Sequence, residues 1–343
     1  NGTLVLNLDG TTKLKNFDKN DFLTYQLNFN FDPNAEIDLF QKFLNTSLTD
    51  KEKQAVIQEY LGYIFVPHTV EGLKLEKMLF LFGEGRNGKS IIFEILRLIM
   101  NPSSISTYEL SDLLNRDDYK ASAENKLVNF STEISKVVLK GGEFKKTVSG
   151  EPLQVRPLYG KPYSIENYPK FIANINTLPI LDEVTKAIHE RLLIIHFDKV
   201  FEEHEQDKNL IIKLQNELAG IFNWMLIGLQ RLIKNRRFSK CYSCLEMLEE
   251  YKKASDSVKF FIEENNYKKS NITIIQSSIL FKEYSEFCND MGLKRVGISE
   301  FGRRLKNVMK IEIKLTKKGS FYYLEKELKF HFLLIFHHYL KDN

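Results

Sequence analysis

The stretch Gly83-Glu84-Gly85-Arg86-Asn87-Gly88-Lys89-Ser90 fits G-x-x-x-x-G-K-[ST], the phosphate-binding loop pattern. Before it, Met78-Leu79-Phe80-Leu81-Phe82 is wholly apolar, as in a parallel strand buried on both faces. After it, Ile91 to Met100 has the length and pattern of a buried helix. The residue types suit one task. Glycines let the backbone turn tightly and bring its N–H groups to phosphate oxygens. A helix starting near Gly88 adds the partial positive charge of its N-terminus. Lys89 is expected to reach the β- and γ-phosphates of ATP, and Ser90 to hold Mg²⁺ with its hydroxyl. Gly83, Glu84, Gly85, Arg86, Asn87, Gly88, Lys89, Ser90 and Ile91 together form the expected nucleotide cradle.

From residue 77 to about residue 200, strand-like and helix-like runs alternate, the rhythm of an α/β domain with a largely parallel sheet. The strand candidates are Met78–Phe82, Lys126–Phe130, Lys170–Ile175 and Leu192–Phe197. Three of them lead into or out of polar residues that could serve a phosphate loop. Lys126-Leu127-Val128-Asn129-Phe130-Ser131-Thr132-Glu133 ends in an acid, which such a site needs to hold the metal shell or polarise the attacking water. Glu133 is the candidate for both roles; a second acid would stand where Thr132 is, and Asp117, Asp118 and Asp182 are the acids next in line. Phe171 to Ile175 runs into Asn176, whose neutral amide can bond a γ-phosphate or the attacking water without charge repulsion. Asn-x-x-Pro is also ordinary turn chemistry. Arg191, just before the apolar Leu192-Leu193-Ile194-Ile195, suits an arginine finger acting on a neighbouring subunit, or a plain surface salt bridge.

The 343 residues predict two or three domains, and 43% hydrophobic with 27% charged residues is a soluble globular composition. No apolar run reaches membrane-spanning length. The chain begins at Asn1 without a signal-like segment and is expected to be a piece of a longer polypeptide. Cys241, Cys244 and Cys288 make no disulfide framework and no zinc spacing, so they read as reduced structural cysteines. Net charge is +4 but uneven. Residues 1–76 hold 7 lysines against 11 acids, and residues 255–343 hold 16 Lys+Arg against 11 acids. A basic C-terminal part fits a polyanionic partner as well as it fits a solvated surface.

Residues 1–31 read as a short hairpin turning at Asp9-Gly10. Residues 35–66 read helical, with Thr49-Asp50-Lys51-Glu52 as a capping box and Pro67 as the stop. Residues 255–327 read as helices Val258–Glu264, Ser277–Met291 and Ser299–Val308, then strands Lys310–Lys314 and Phe321–Leu324. That is the order of a winged helix, with Arg303, Arg304 and Lys306 placed for groove contacts. Residues 328–343 read as a terminal helix.

The four motifs in this order resemble superfamily 3 helicases, most nearly the helicase half of phage and plasmid primase–helicases and of related poxviral ones. Their spacing agrees: 43 residues from Ser90 to Glu133, 43 more to Asn176 and 15 more to Arg191. So does the segment from Phe144 to Pro162, where the family carries a hairpin that grips DNA in a central channel. Lys145, Lys146, Arg156 and Lys161 lie within 17 residues with Tyr159 among them; cations track phosphates and an aromatic can stack on a base. The resemblance implies an AAA+-like P-loop ATPase core at 71–235, after a small mixed or helical N-terminal domain at 1–70. It places a linker helix at 236–254 and a winged-helix domain at 255–343. It implies ATP and Mg²⁺, single-stranded and forked duplex DNA, and a homo-oligomeric ring, most simply a hexamer. It also implies an upstream primase or polymerase domain, no membrane, and a cytoplasmic setting in a bacterial host or infected cell. Two other readings stay open on the residues. One is an initiator or loader ATPase that melts DNA without translocating; the other is a non-enzymatic DNA-binding module, for which Thr132 in place of a second acid is the support.

Overall fold

The computed structural model describes residues 1–132, 138–139, 141–181, 185–291, 293, 295–317 and 319–327, with backbone alone at 138, 139, 180, 181 and 253–255. The chain forms two compact units, Asn1–Lys252 and Lys253–Asn343. The expected helix at 328–343 lies outside the described residues.

The first unit is built on a five-stranded sheet. In spatial order its strands are Leu192–His196, Met78–Phe82, Lys170–Ile175, Val128–Ser131 and Ile105–Ser106, each parallel to its neighbours. Numbered along the chain, that order is 5-1-4-3-2. The loop strand therefore lies between the strand that follows Arg191 and the strand that ends at Ile175. Two of the expected strands appear with the expected limits, Met78–Phe82 and Lys170–Ile175. A third is shifted to Val128–Ser131, and the edge strand Ile105–Ser106 was not foreseen.

Side-chain alternation sends the apolar residues of these strands to two cores, one on each face of the sheet. Leu79, Leu81, Phe130, Ile172 and Ile195 belong to one core, while Met78, Phe80, Phe171, Ala173 and Ile194 belong to the other. Helices cover both faces, which a parallel sheet requires. The first face is covered by helices Leu39–Ser47, Lys51–Tyr63, Lys89–Ile99 and Leu218–Asn235. The second is covered in part by Leu110–Asn115 and Gly141–Val148.

The expected domain at 1–70 is not a body of its own. Phe40, Leu44, Ile57 and Leu61 share one core with Ile92, Leu96, Ile221 and Met225. Glu59 is fully buried, and its carboxylate accepts from Arg231 Nε at 2.5 Å and from Ser239 N at 2.7 Å. The hairpin near the start does form, from Thr3–Leu6 and Thr12–Lys15. The capping box does not. Asp50, not Thr49, is the N-cap of Lys51–Tyr63, accepting from Glu52 N at 2.8 Å and Lys53 N at 3.5 Å. That helix ends at Tyr63, before Pro67 is reached.

The second unit holds helices Ser257–Glu264, Ser277–Asp290 and Ile298–Met309, close to the expected limits. Its antiparallel sheet runs Ile275–Gln276, Gly319–Tyr322, Ile313–Thr316, and a second pair joins Tyr267–Lys269 to Leu324–Lys326. Phe261, Tyr284 and Phe301 centre the core, with Tyr284 and Phe301 rings 4.6 Å apart. The three cysteines are free and buried.

Candidate nucleotide site and nucleic-acid interface

The loop leaves the carboxyl end of Met78–Phe82 and becomes helix Lys89–Ile99 at Gly88. Its two key glycines are there for backbone reasons. Gly83 has φ +144°, and a Cβ there would lie 2.5 Å from Asn87 Nδ2 and 2.7 Å from the Phe197 carbonyl. Gly88 has φ +91°, and a Cβ there would lie 2.9 Å from the Phe43 ring. Both positions favour residues without a side chain. Gly88 is the N-cap and brings no side-chain acceptor to the first turn, which suits a phosphate taking those N–H groups.

Lys89 is 5% exposed, and its ammonium lies along the loop, donating to the Gly83 carbonyl, to the Glu84 carbonyl at 2.8 Å and to Asn87 Oδ1 at 3.1 Å. Burial lowers its pKa from the usual lysine value. Ser90 is exposed on the first turn of the helix, as a metal-facing hydroxyl must be. Asn87, one of the variable positions of the pattern, is buried, and its amide reaches the Phe197 carbonyl at 3.4 Å. Sequence reasoning assigned Asn87 only to the cradle. Its tie to the chain after Leu192–His196, and the Phe43 ring behind Gly88, needed tertiary contacts to be seen. These residues fit a triphosphate: a hydrogen-bonded ammonium among backbone turns, uncapped helix amides, and an exposed hydroxyl. Among the described residues no group of three or more His, Cys, Asp or Glu gathers as an all-protein metal site. A magnesium ion here would rest on Ser90 and the phosphates, while the other expected metal residue, Glu133, lies outside the described residues.

Asn176 is exposed at the tip of Lys170–Ile175. The Gly83 N–H donates to the Ile175 carbonyl at 3.1 Å, which sets Asn176 beside the loop. Glu133 and Asp182 lie outside the described residues. Ser131 ends its strand buried, donating to the Tyr108 carbonyl at 2.8 Å, and Thr132 is exposed after it.

Arg191 is at the other end of the sheet. Its carbonyl accepts from Met78 N at 2.9 Å, so it lies level with the start of the loop strand, about 16 Å of strand from Gly83. Its side chain is 13% exposed; it pairs with Glu76, donates to the Ala187 carbonyl at 2.7 Å, and leaves Nε buried without a partner.

The expected DNA-contacting residues divide between two elements. Lys145 and Lys146 are exposed on helix Gly141–Val148, not on a hairpin. The hairpin itself is Leu153–Val155 with Tyr163–Ile165, and its loop carries Arg156, Tyr159 and Lys161. Tyr159 is 97% exposed at φ +60°, next to Leu158 at 69%. Arg156 Nε donates to the Gly160 carbonyl at 3.1 Å, which stiffens the tip. Leu158 was not singled out from sequence, because an isolated leucine in a loop carries no signal.

Residues 81–191 match a family of unknown function, DUF5906; those limits enclose all four motifs, from the loop to Arg191. Residues 253–336 match the family described as Poxvirus D5 protein-like.

The poxvirus D5-like match covers nearly all of the second unit and bears out the resemblance drawn from the motifs. No curated protein matches the chain. Solved structures of the NrS-1 C-terminal region in its apo form are similar. One has a TM-score of 0.50 at 14% identity, covering 86% of this chain and 79% of that one. Another has a TM-score of 0.49 at 16% identity, covering 86% of this chain and 77% of that one. The first of these shows a shared fold. Among the described residues no helix is long and apolar enough to cross a membrane.

Proposed function

We propose that this chain is an ATP-dependent DNA helicase for the replication of a phage, plasmid or other mobile element, working as a ring. The 5-1-4-3-2 parallel sheet with its phosphate loop supports an AAA+-like ATPase core, and the element order of the second unit supports a winged helix. The observation that carries the reading is the placement of Asn176 and Arg191. Asn176 stands beside its own loop, and Arg191 stands at the opposite end of the sheet. A site completed by an arginine from the next subunit accounts for both. Lys89 would then bind the β- and γ-phosphates, Ser90 would hold Mg²⁺, and Asn176 would orient the attacking water. Glu133, two residues past the end of its strand, would polarise that water. Hydrolysis would move the exposed Tyr159 tip along single-stranded DNA, with Lys145, Lys146, Arg156 and Lys161 following the phosphates. The metal supplies charge neutralisation between the phosphates when bound.

The test is ATP hydrolysis by the gel-filtered assembly, with and without Mg²⁺ and single-stranded DNA, followed by strand separation on a forked duplex. Hydrolysis dependent on Mg²⁺ and raised by DNA, with unwinding far from the binding site, is expected. DNA opening confined to the site of binding would favour the initiator reading. No hydrolysis under any of these conditions would sink the enzyme reading.

A further inference from the structure

The third helix of the second unit was expected to offer Arg303, Arg304 and Lys306 to DNA. Two of the three are already engaged. Arg303 makes a bidentate pair with Glu300, both bonds 2.8 Å, and Arg304 Nε donates to the same carboxylate at 2.6 Å. The two guanidinium groups hold the Glu300 carboxyl down to about 2, so it stays ionised through the working pH range.

The cations left over lie elsewhere. Lys306 in the last turn and Lys310 at the C-cap are both exposed at the helix C-terminus, where Lys310 N bonds the Lys306 carbonyl at 2.7 Å. Lys269 reaches across from its own strand, its ammonium 3.3 Å from the Lys310 carbonyl. Ser270, next to Lys269, donates its N–H to the Tyr323 carbonyl at 3.2 Å, and the Lys314 ammonium stands 6.0 Å from the Tyr323 ring. All four lysines are exposed, and among the described residues none is ion-paired, whereas Lys268, Lys282 and Lys326 each have a carboxylate partner. Glu312 is the one acid between Lys306 and Lys317, against four lysines.

We infer that the second unit binds the phosphate backbone of DNA through Lys269, Lys306, Lys310 and Lys314, gathered around the helix C-terminus and Tyr323, rather than through Arg303 and Arg304. A backbone polyanion asks only for charge, and lysines are compact point charges that serve any sequence. Protein interfaces are instead depleted in lysine. The inference deepens the DNA-binding part of the proposed function but does not need ATP hydrolysis.

The experiment is the salt dependence of duplex binding by the full chain without nucleotide, comparing parent, K269Q/K310Q/K314Q and R303Q. Each lost phosphate contact should reduce the log–log slope by about 0.9, so the triple variant should lose between about 2 and 3 while R303Q changes it by under 1. Basal ATP hydrolysis of the triple variant should match the parent. If hydrolysis is absent in the parent but the slope still falls, the helicase reading fails and this face stands. An unchanged slope, a larger fall for R303Q, or no duplex binding by the parent would overturn the assignment. So would loss of binding to polyglutamate with the DNA slope unchanged, which would make this face a site for an acidic protein.

Discussion

The N–H of Gly83 donates to the carbonyl of Ile175 at 3.1 Å, so the phosphate loop begins against the end of the neighbouring strand, one residue before Asn176. That contact sets Asn176, at the tip of its strand, beside the loop. Asn176→Ala is therefore expected to keep nucleotide affinity and lose turnover by about 10²–10³, the scale for removing one positioned donor. Steady-state kcat beside a fluorescent-nucleotide titration checks it; unchanged kcat would move the role to another residue.

Lys89→Ala removes the ammonium that lies among the Gly83, Glu84 and Asn87 oxygens. ATP binding or hydrolysis should collapse, because Lys89 is the buried cation of the loop and its other cation, Arg86, is exposed. Hydrolysis at the parent rate would show that the loop does not work as a phosphate site.

Arg191→Ala breaks the pair with Glu76 at the end of the sheet away from the loop. If the arginine acts on the next subunit, ATP should still bind while hydrolysis falls by about 10³–10⁵. Mixing Arg191→Ala with Lys89→Ala subunits should restore part of the activity, since some interfaces then combine an intact loop with an intact arginine. A lower thermal midpoint with full turnover would instead make Arg191 a structural ion pair.

Tyr159→Ala at the hairpin tip should weaken single-strand binding by about 1–3 kcal/mol through lost stacking. Lys161→Gln should lower the single-strand salt slope by about 0.7. Hydrolysis without DNA should be untouched in both. Retained affinity in a binding isotherm for Tyr159→Ala would place the DNA path elsewhere.

Lys170 is buried at the start of its strand, its ammonium 3.0 Å from His68 Nδ1 and 4.4 Å from the centre of the Tyr63 ring. Burial lowers its pKa from 10.5 to about 7. Burial first, and then the charge of Lys170, lowers His68 from 6.5 to about 3. The unfolded chain therefore binds more protons than the folded one from about pH 7 to 10.5 at Lys170, and from about pH 3 to 6.5 at His68. Stability rises with pH through both windows, and the cost of the buried charge is fully present below about pH 7. Lys170→Met should stabilise the protein near neutral pH and flatten the rise above it. Denaturant unfolding across that range reads both effects; a loss of stability near neutral pH would show that the cation is needed by its neighbours.

Local chemistry was enough for much of this protein. The loop pattern fits its strand and helix because glycine, lysine and serine at those spacings meet backbone needs that a few residues define. Strands Met78–Phe82 and Lys170–Ile175 were legible to the residue because burial on both faces makes the first wholly apolar and the second apolar at all but Lys170 and Asn174. Ile105–Ser106 was not, since two residues have no period; Asn129 holds that edge, accepting from Ser106 Oγ at 2.8 Å and from Tyr108 N at 3.0 Å. Other outcomes belong to tertiary structure. Thr49 and Asp50 can both cap a helix, and Asp50 also takes the Ser243 hydroxyl at 2.6 Å, a partner 193 residues away. No boundary forms at residue 70, because helix Lys51–Tyr63 packs on Leu218–Asn235, far along the chain. Composition could count the cations of the second unit but not sort them. Glu300 pairs with both Arg303 and Arg304, while Lys306, Lys310 and Lys314 have no carboxylate partner among the described residues, because ion pairing depends on neighbours in space.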